Sequence, residues 1–267
     1  MQTIFTATGS RVSYTVDGSG PPLVLVHGAF SDHESNWTYI TPALRQHARL
    51  HSVARRGRGA TDTTRGHTLE DEVEDLLAVI RAVGERVTMI GHSYGAHCAL
   101  LAAAREPHRV KKLVLYEPAW PHLIRPDAFA ALEALADAGA WDQFAYAFFA
   151  NVLAVPGEAL DAVRASDDWL PIVADAPASL EDLRALRSYG FDAHRFRDLH
   201  VPVLLQVGSQ SPREFYVTDA LAAVLPDAYV DTLAGQAHEG MTTAPDQYVS
   251  SILAFLTSDQ RAKHACA

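Results

Sequence analysis

The pentapeptide Gly91-His92-Ser93-Tyr94-Gly95 constrains this chain more than any other stretch. It is a G-x-S-x-G set between an apolar run, Arg86-Val87-Thr88-Met89-Ile90, and an alanine-rich segment over residues 96–105. The spacing predicts a strand, a sharp turn and a helix. A serine on such a turn is held with its hydroxyl exposed above the carboxyl edge of a sheet, while the glycines let strand and helix approach closely. Ser93 is therefore the candidate nucleophile.

The rest of the chain supplies the sheet. Residues 3–7 and 12–16 alternate apolar with polar and are separated by Gly9-Ser10, which predicts an antiparallel pair. Leu23-Val24-Leu25-Val26 is continuously apolar, as suits a strand covered on both faces, and runs straight into His27-Gly28-Ala29-Phe30. Residues 37–46 carry weak helical periodicity, 50–53 read as a strand, and Arg55, Arg56 and Arg58 stand in a glycine-rich loop. Thr68 is a fitting N-cap for a helix with Val73, Leu76, Leu77, Ile80 and Val83 on one face, stopped by Gly84. Strands follow at 110–116, 201–207 and 228–232, with helices over 215–224 and 245–256. Between them, residues 119–199 turn helical and rich in alanine and aromatics, broken by Pro121, Pro126, Pro156, Pro171 and Pro177.

The expected architecture is thus α/β: a mostly parallel eight-stranded sheet with helices on both faces and a helical cap. Residues 1–118 and 200–267 would form the core and 119–199 the cap. Ligand sites in such sheets lie beyond the carboxyl ends of the strands. Residues after Ser258, Cys266 among them, are expected to fray. Cys98, in the helix after Ser93, reads as a small buried hydrophobe, and the two cysteines form no metal-ligand spacing.

With 267 residues, 48% of them apolar, the chain can bury a large core, and its formal charge of −10 argues against a nucleic-acid partner. The first residues lack a secretory pattern and no window reaches transmembrane length, so a cytoplasmic protein without membrane association is expected.

A serine nucleophile needs an imidazole within reach. Of the thirteen histidines, His92 adjoins Ser93 on the turn, where the side chains diverge. His27 precedes a glycine turn and suits a structural hydrogen bond. His33, His47, His51, His67, His108, His194 and His200 sit in polar loops or helix ends and read as solvated. His238 lies in Ala234-Gly235-Gln236-Ala237-His238-Glu239-Gly240-Met241, a glycine-bounded loop after the last strand, and is the candidate general base.

Taken together, His27-Gly28, the Arg56-Gly57-Arg58-Gly59 loop, the Ser93 pentapeptide, the Gly235-Gln236-Ala237-His238 loop and the cap after the sixth strand resemble the α/β-hydrolase superfamily over essentially the whole length. The resemblance implies an oxyanion hole made by the backbone N–H groups of Tyr94 and Ala29, with Phe30 as the alternative second donor. It also assigns the arginine loop to turn geometry and surface ion pairs.

The acid departs from the commonest family pattern, an aspartate in a G-x-x-D context after the seventh strand. Here that stretch is Gly208-Ser209-Gln210-Ser211, and Ser211 cannot stabilise an imidazolium. Glu117, ending the sixth strand, is the leading candidate. This resembles certain haloalkane dehalogenases and the zearalenone lactonases, in which the acid follows the sixth strand. Glu214 is the second candidate and Asp231 the third.

The reading that results is a serine hydrolase acting on an apolar carboxylic ester or lactone through Ser93, His238 and Glu117, without cofactor or metal. Phe30 and the cap aromatics Trp120, Phe148 and Trp169 are the candidate substrate contacts. A cofactorless perhydrolase, a carbon–carbon bond hydrolase and a non-catalytic small-molecule receptor are the alternatives, and association as a homodimer is left open. A dehalogenase or epoxide hydrolase resembles this fold but uses aspartate where Ser93 stands.

Overall fold

The computed structural model describes residues 1–63 and 65–258; the tail expected to fray, with Cys266, lies outside the described residues. Eight strands form one sheet: β1 (Gln2–Phe5), β2 (Arg11–Gly18), β3 (Pro22–Val26), β4 (Arg49–Ala54), β5 (Val87–His92), β6 (Val110–Tyr116), β7 (Val203–Gly208) and β8 (Ala228–Leu233). Their order is β1-β2-β4-β3-β5-β6-β7-β8. The β1–β2 and β2–β4 pairings are antiparallel and all the others parallel. The predicted sheet is the observed one.

The central strands β3, β5 and β7 are buried at every residue, as their uninterrupted apolar runs require. The β8 edge alternates instead. The helices are α1 (Thr41–Leu44), α2 (Leu69–Val83), α3 (Tyr94–Arg105), α4 (Pro126–Asp137), α5 (Trp141–Asn151), α6 (Gly157–Arg164), α7 (Trp169–Ser188), α8 (Thr218–Ala222), α9 (Gly240–Thr243) and α10 (Pro245–Thr257). One core joins α2, α3 and α8 to one face of the sheet, and a second joins α1 and α10 to the other. Cys98 is buried in the first, as expected.

Thr68 caps α2 with a full capping box: its hydroxyl accepts from the Asp71 N–H while the Asp71 carboxylate accepts from the Thr68 N–H. Gly84 ends it in the left-handed conformation. The helix expected over 37–46 is reduced to the single turn of α1, preceded by a short 3₁₀ turn at Ser35–Trp37.

Helices α4 to α7 follow β6 and pack around their own apolar cluster, with Phe129, Leu132, Phe144, Phe148, Leu160, Trp169 and Leu180 inside it. The segments flanking these helices return to the sheet layer. The Trp120 N–H bonds to the Phe215 carbonyl at 2.9 Å, Ala119 bridges Tyr216, and Tyr189, Phe191 and Phe196 pack in the α2–α3 core.

Candidate active site

The β5–α3 junction builds the elbow. Ser93 has φ 52° and ψ −118°, a strained backbone for a side chain that must stand clear of the sheet. Its N–H bonds to the Tyr116 carbonyl at 2.9 Å, which fixes the turn to β6. Gly91 and Gly95 are required by contact: a Cβ at Gly95 would lie 2.3 Å from the Val26 and His27 carbonyl oxygens, and one at Gly91 would lie 2.6 Å from the Ala96 Cα. The pentapeptide's glycines thus let β3, β5 and α3 pack against one another.

The end of β6 delivers Glu117. Its φ is 48°, so the chain turns sharply there and the carboxylate, fully buried, aims across the carboxyl edge. Glu117 Oε2 is 2.7 Å from His238 Nδ1, and Oε1 accepts the Gly208 N–H at 2.7 Å. Burial pushes the Glu117 carboxyl up, but the hydrogen bond and charge of His238 and the Gly208 amide more than offset this, leaving it below the ordinary carboxylate range. Burial pushes the His238 imidazole down, and the bond and charge of Glu117 with the charge of Glu239 raise it above its ordinary value. Both ionise in the sense of a carboxylate–imidazolium pair.

The His238 loop, between β8 and α9, is held by its main chain: the Tyr116 hydroxyl donates to the Ala237 carbonyl, and His92 Nε2 lies 3.1 Å from the His238 carbonyl. The Tyr216 ring stacks on the His238 imidazole at 5.3 Å. His92 and Tyr216 were not foreseen as supports of the base. His92 had only its place beside Ser93 to recommend it, and Tyr216 had no sequence signal. Of the other acid candidates, Glu214 is exposed and Asp231 accepts from the Ser251 hydroxyl of α10, while Ser211, where the commonest pattern has aspartate, is buried in the β7 loop.

The loop after β3 lies against the elbow, where a Cβ at Gly28 would be 3.2 Å from the Ser93 Cβ. Phe30, at φ 57°, spends its N–H on Ser179 Oγ at 2.6 Å. Among the described residues, the Ala29 and Tyr94 N–H groups have no acceptor. Phe30, Ser93 and Glu117 are three of the four non-glycine residues with positive φ among those described, so backbone strain is concentrated here.

The arginine loop departs from its expected role in surface ion pairs. Arg55, Arg56 and Arg58 are buried, because their partners are carboxylates of α2 and α7 rather than water. Arg55 bonds the His27 and Gly28 carbonyls at 2.9 Å, Glu72 at 3.0 Å and Asp182 at 2.7 Å, and lies 4.5 Å over the Tyr94 ring. Arg58 bonds Asp175 and Asp182 at 2.8 Å, and Arg56 bonds Asp75 at 2.7 Å. His33, His51 and His67, read as solvated, are buried too, His67 with Nε2 3.2 Å from Glu72. His27 makes the structural bond expected of it, to the Gly28 carbonyl at 2.7 Å.

Among the described residues, two groups of donors lie close enough for a cation, His92 with His238 and Glu239, and His67 with Glu72 and Asp182. In the first, the two histidines are engaged with the His238 carbonyl and Glu117. In the second, Arg55 already supplies the positive charge.

Ser93 and His238 open into one cavity of ≈ 40 Å³ whose walls include Ala29, Phe30, Leu123, Ile124, Phe148, Phe149, Leu183 and Leu186. Phe30 stacks on Phe148 at 4.6 Å. Two expected contacts lie elsewhere. Trp169 is buried in the apolar cluster of α4 to α7, its indole N–H bonded to Asp142 at 2.7 Å. Trp120 faces a separate outer groove, since its N–H ties it to the β7 loop.

Known proteins resemble this chain in sequence and fold. The pyrrolizixenacetamide deacetylase of Xenorhabdus hominickii is 36% identical over 111 residues, 40% of this chain and 41% of that protein, so the match spans about two fifths of its length. The 2-(acetamidomethylene)succinate hydrolase of Mesorhizobium japonicum is 27% identical over 90% of this chain and 89% of its own. The crystal structure of an alpha/beta hydrolase from Sphaerobacter thermophilus superposes with a TM-score of 0.83 at 30% identity, covering 96% of this chain and 100% of that one. Residues 23–251 match the family described as "Alpha/beta hydrolase family", and with the sheet order, the elbow and the late histidine loop all in place, the chain belongs to that family.

Proposed function

We propose that this α/β hydrolase is a serine hydrolase that cleaves a carboxylic ester or lactone with a short apolar acyl group. One observation carries the reading: Ser93 and His238 share a cavity, and His238 Nδ1 is 2.7 Å from the buried Glu117 carboxylate. Gly208 occupies the other carboxylate oxygen, so Glu117 presents one acceptor to His238 and fixes the tautomer whose Nε2 is free to accept a proton. His238 takes the Ser93 proton as Oγ attacks the carbonyl carbon. The Ala29 and Tyr94 N–H groups receive the oxyanion, and His238 returns the proton to the departing alcohol. Water then attacks the acyl-enzyme by the same route.

The cavity sets the acyl group. At ≈ 40 Å³ it has room for roughly three waters, and its walls of Phe, Leu and Ile offer little to a charged acyl chain. A second reading, hydrolysis of an acetamide, is favoured by that small cavity together with the names of the two curated relatives, both of which concern acetamide compounds.

The test is intact-mass and peptide mapping after treatment with a fluorophosphonate, on the wild type and on Ser93→Ala. An adduct on Ser93, absent from the variant, is expected. A folded protein that takes no adduct, and turns over neither aryl acetates nor lactones, refutes the assignment.

A further inference from the structure

On the outer side of the Leu123–Ile124 segment lies a groove of ≈ 310 Å³ whose walls include Trp120, His122, Ile124, Arg187, Tyr189 and Phe191. It is several times roomier than the Ser93 cavity, and the two are neighbours, because buried Ile124 is a wall of both. The groove combines two chemistries. Trp120 and Phe191 meet edge to face at 5.3 Å and present an aromatic wall against which a planar ring can lie. Arg187 supplies charge. Its guanidinium lies 3.9 Å over the Phe129 ring and, among the described residues, has no carboxylate partner, in a protein whose net charge is −10.

Aromatic walls beside an unpaired guanidinium are complementary to a planar aromatic carboxylate. Arg187 would receive the carboxylate through its fork of N–H donors. We infer that this groove binds an aromatic carboxylate and seats the departing half of the substrate, the acyl half lying in the Ser93 cavity on the other side of Ile124. The second part of the inference rests on the serine-hydrolase reading. It makes the substrate class an acyl ester or amide of a hydroxy- or amino-substituted aromatic acid.

Binding and turnover are tested separately. Calorimetry on Ser93→Ala with 2-naphthoate is expected to show binding that weakens tenfold or more in Ser93→Ala/Arg187→Gln and persists in Ser93→Ala/Arg187→Lys. The uncharged 2-naphthamide is expected to bind at least tenfold more weakly than the acid. Glutamine keeps the arginine's stem over Phe129, and a melting curve verifies the fold of each variant. For turnover, the ratio of kcat/KM on 4-acetoxybenzoate to that on phenyl acetate is expected to fall tenfold or more in Arg187→Gln. No binding of 2-naphthoate, or equal binding by the Gln variant, overturns the inference. Turnover of both esters with an unchanged ratio overturns the departing-half assignment while the hydrolase reading stands. Arg187-dependent binding without turnover of either ester supports the groove as a carboxylate site and overturns the departing-half assignment; only when Ser93 also takes no fluorophosphonate adduct and lactones are not turned over does it remove the serine-hydrolase reading instead.

Discussion

Replacing Glu117 by Gln tests the proposed triad most sharply, because the surroundings dictate which way the amide must turn. Glu117 Oε1 receives the Gly208 N–H and Oε2 faces His238 Nδ1, each at 2.7 Å. In the variant only the amide oxygen can satisfy Gly208, so the NH₂ must point at His238. Nδ1 then has to accept, and the ring proton moves to Nε2, the atom that must take the proton from Ser93. The opposite rotamer sets two donors face to face, leaving a buried N–H unpaired at about 1–3 kcal/mol. Either way the carboxylate charge that favours the imidazolium is gone. A wrong-tautomer substitution of this kind costs roughly 10⁴ in kcat in a serine protease, or about 5 kcal/mol of barrier, and a loss of 10³ to 10⁴ is expected here with KM little changed. The assay is steady-state hydrolysis of phenyl acetate, with circular dichroism to verify the fold. A loss smaller than tenfold refutes Glu117 as the partner of His238 and returns attention to the β7 loop.

The same pair governs pH dependence. His238 stands above its ordinary value in the fold, so its share of stability is fully present below the unfolded imidazole value near 6.5 and is lost as pH rises through the raised one. Activity, needing the neutral ring, rises over that second interval. Ring titration by NMR on Ser93→Ala should place the His238 midpoint above 6.5, falling below it when Glu117→Gln is added, since burial alone lowers it; a midpoint unmoved by the second change contradicts the pairing. Asp182→Asn strips two buried arginines of a shared partner and should cost about 3 kcal/mol, seen as a melting-temperature drop of roughly 6–12 °C. Asp182 is held down to about 2 from 3.8, so its contribution is present above 3.8 and lost as pH falls towards 2, where variant and wild type should converge; equal melting temperatures at pH 7 would show that the cluster adds nothing. Gly95→Ala should give unfolded or aggregated protein, because its Cβ meets two carbonyl oxygens at 2.3 Å; a variant that melts within a few degrees of wild type would mean that β3 can recede from the elbow.

Much of this arrangement could be read from the chain because it is local. The elbow announces itself by glycines flanking a serine, the central strands by unbroken apolar runs, and Glu117 by its place at the end of a strand once Ser211 broke the usual pattern. What escaped was long-range. Arg55 and Asp182 are separated by 127 positions, so the loop arginines were expected in surface ion pairs, whereas the fold buries Arg55 and Arg58 against α7 and Arg56 against Asp75 of α2. His33, His51 and His67 escaped for the same reason: a polar neighbourhood in sequence says little about burial in space. Trp120 and Trp169 were chosen as large aromatics in the cap, yet one is drawn outward by its bond to the β7 loop and the other inward by Asp142. Composition could not distinguish these positions from Phe148.

The buried ionic cluster joins α7 to the loop bearing the proposed oxyanion donor. Asp182 and Ser179 both come from α7. Asp182 holds Arg55, which in turn holds the His27 and Gly28 carbonyls, and Ser179 accepts the Phe30 N–H. The residue between these two anchors is Ala29. Its backbone is therefore clamped from both sides by groups whose positions depend on where α7 sits. Lifting α7 would require parting buried charges, each pair costing several kcal/mol to break, and would release the Phe30 N–H to compete with Ala29 for the oxyanion. Such a cost keeps the α7 side fixed. The α4–α5 side, where Leu123, Phe148, Phe149 and Val152 meet the cavity through apolar contact, is itself tied to α7 by the Glu133–Arg184 ion pair at 3.0 Å and by the Asp142–Trp169 bond at 2.7 Å, so polar pairs hold both sides of the cavity together.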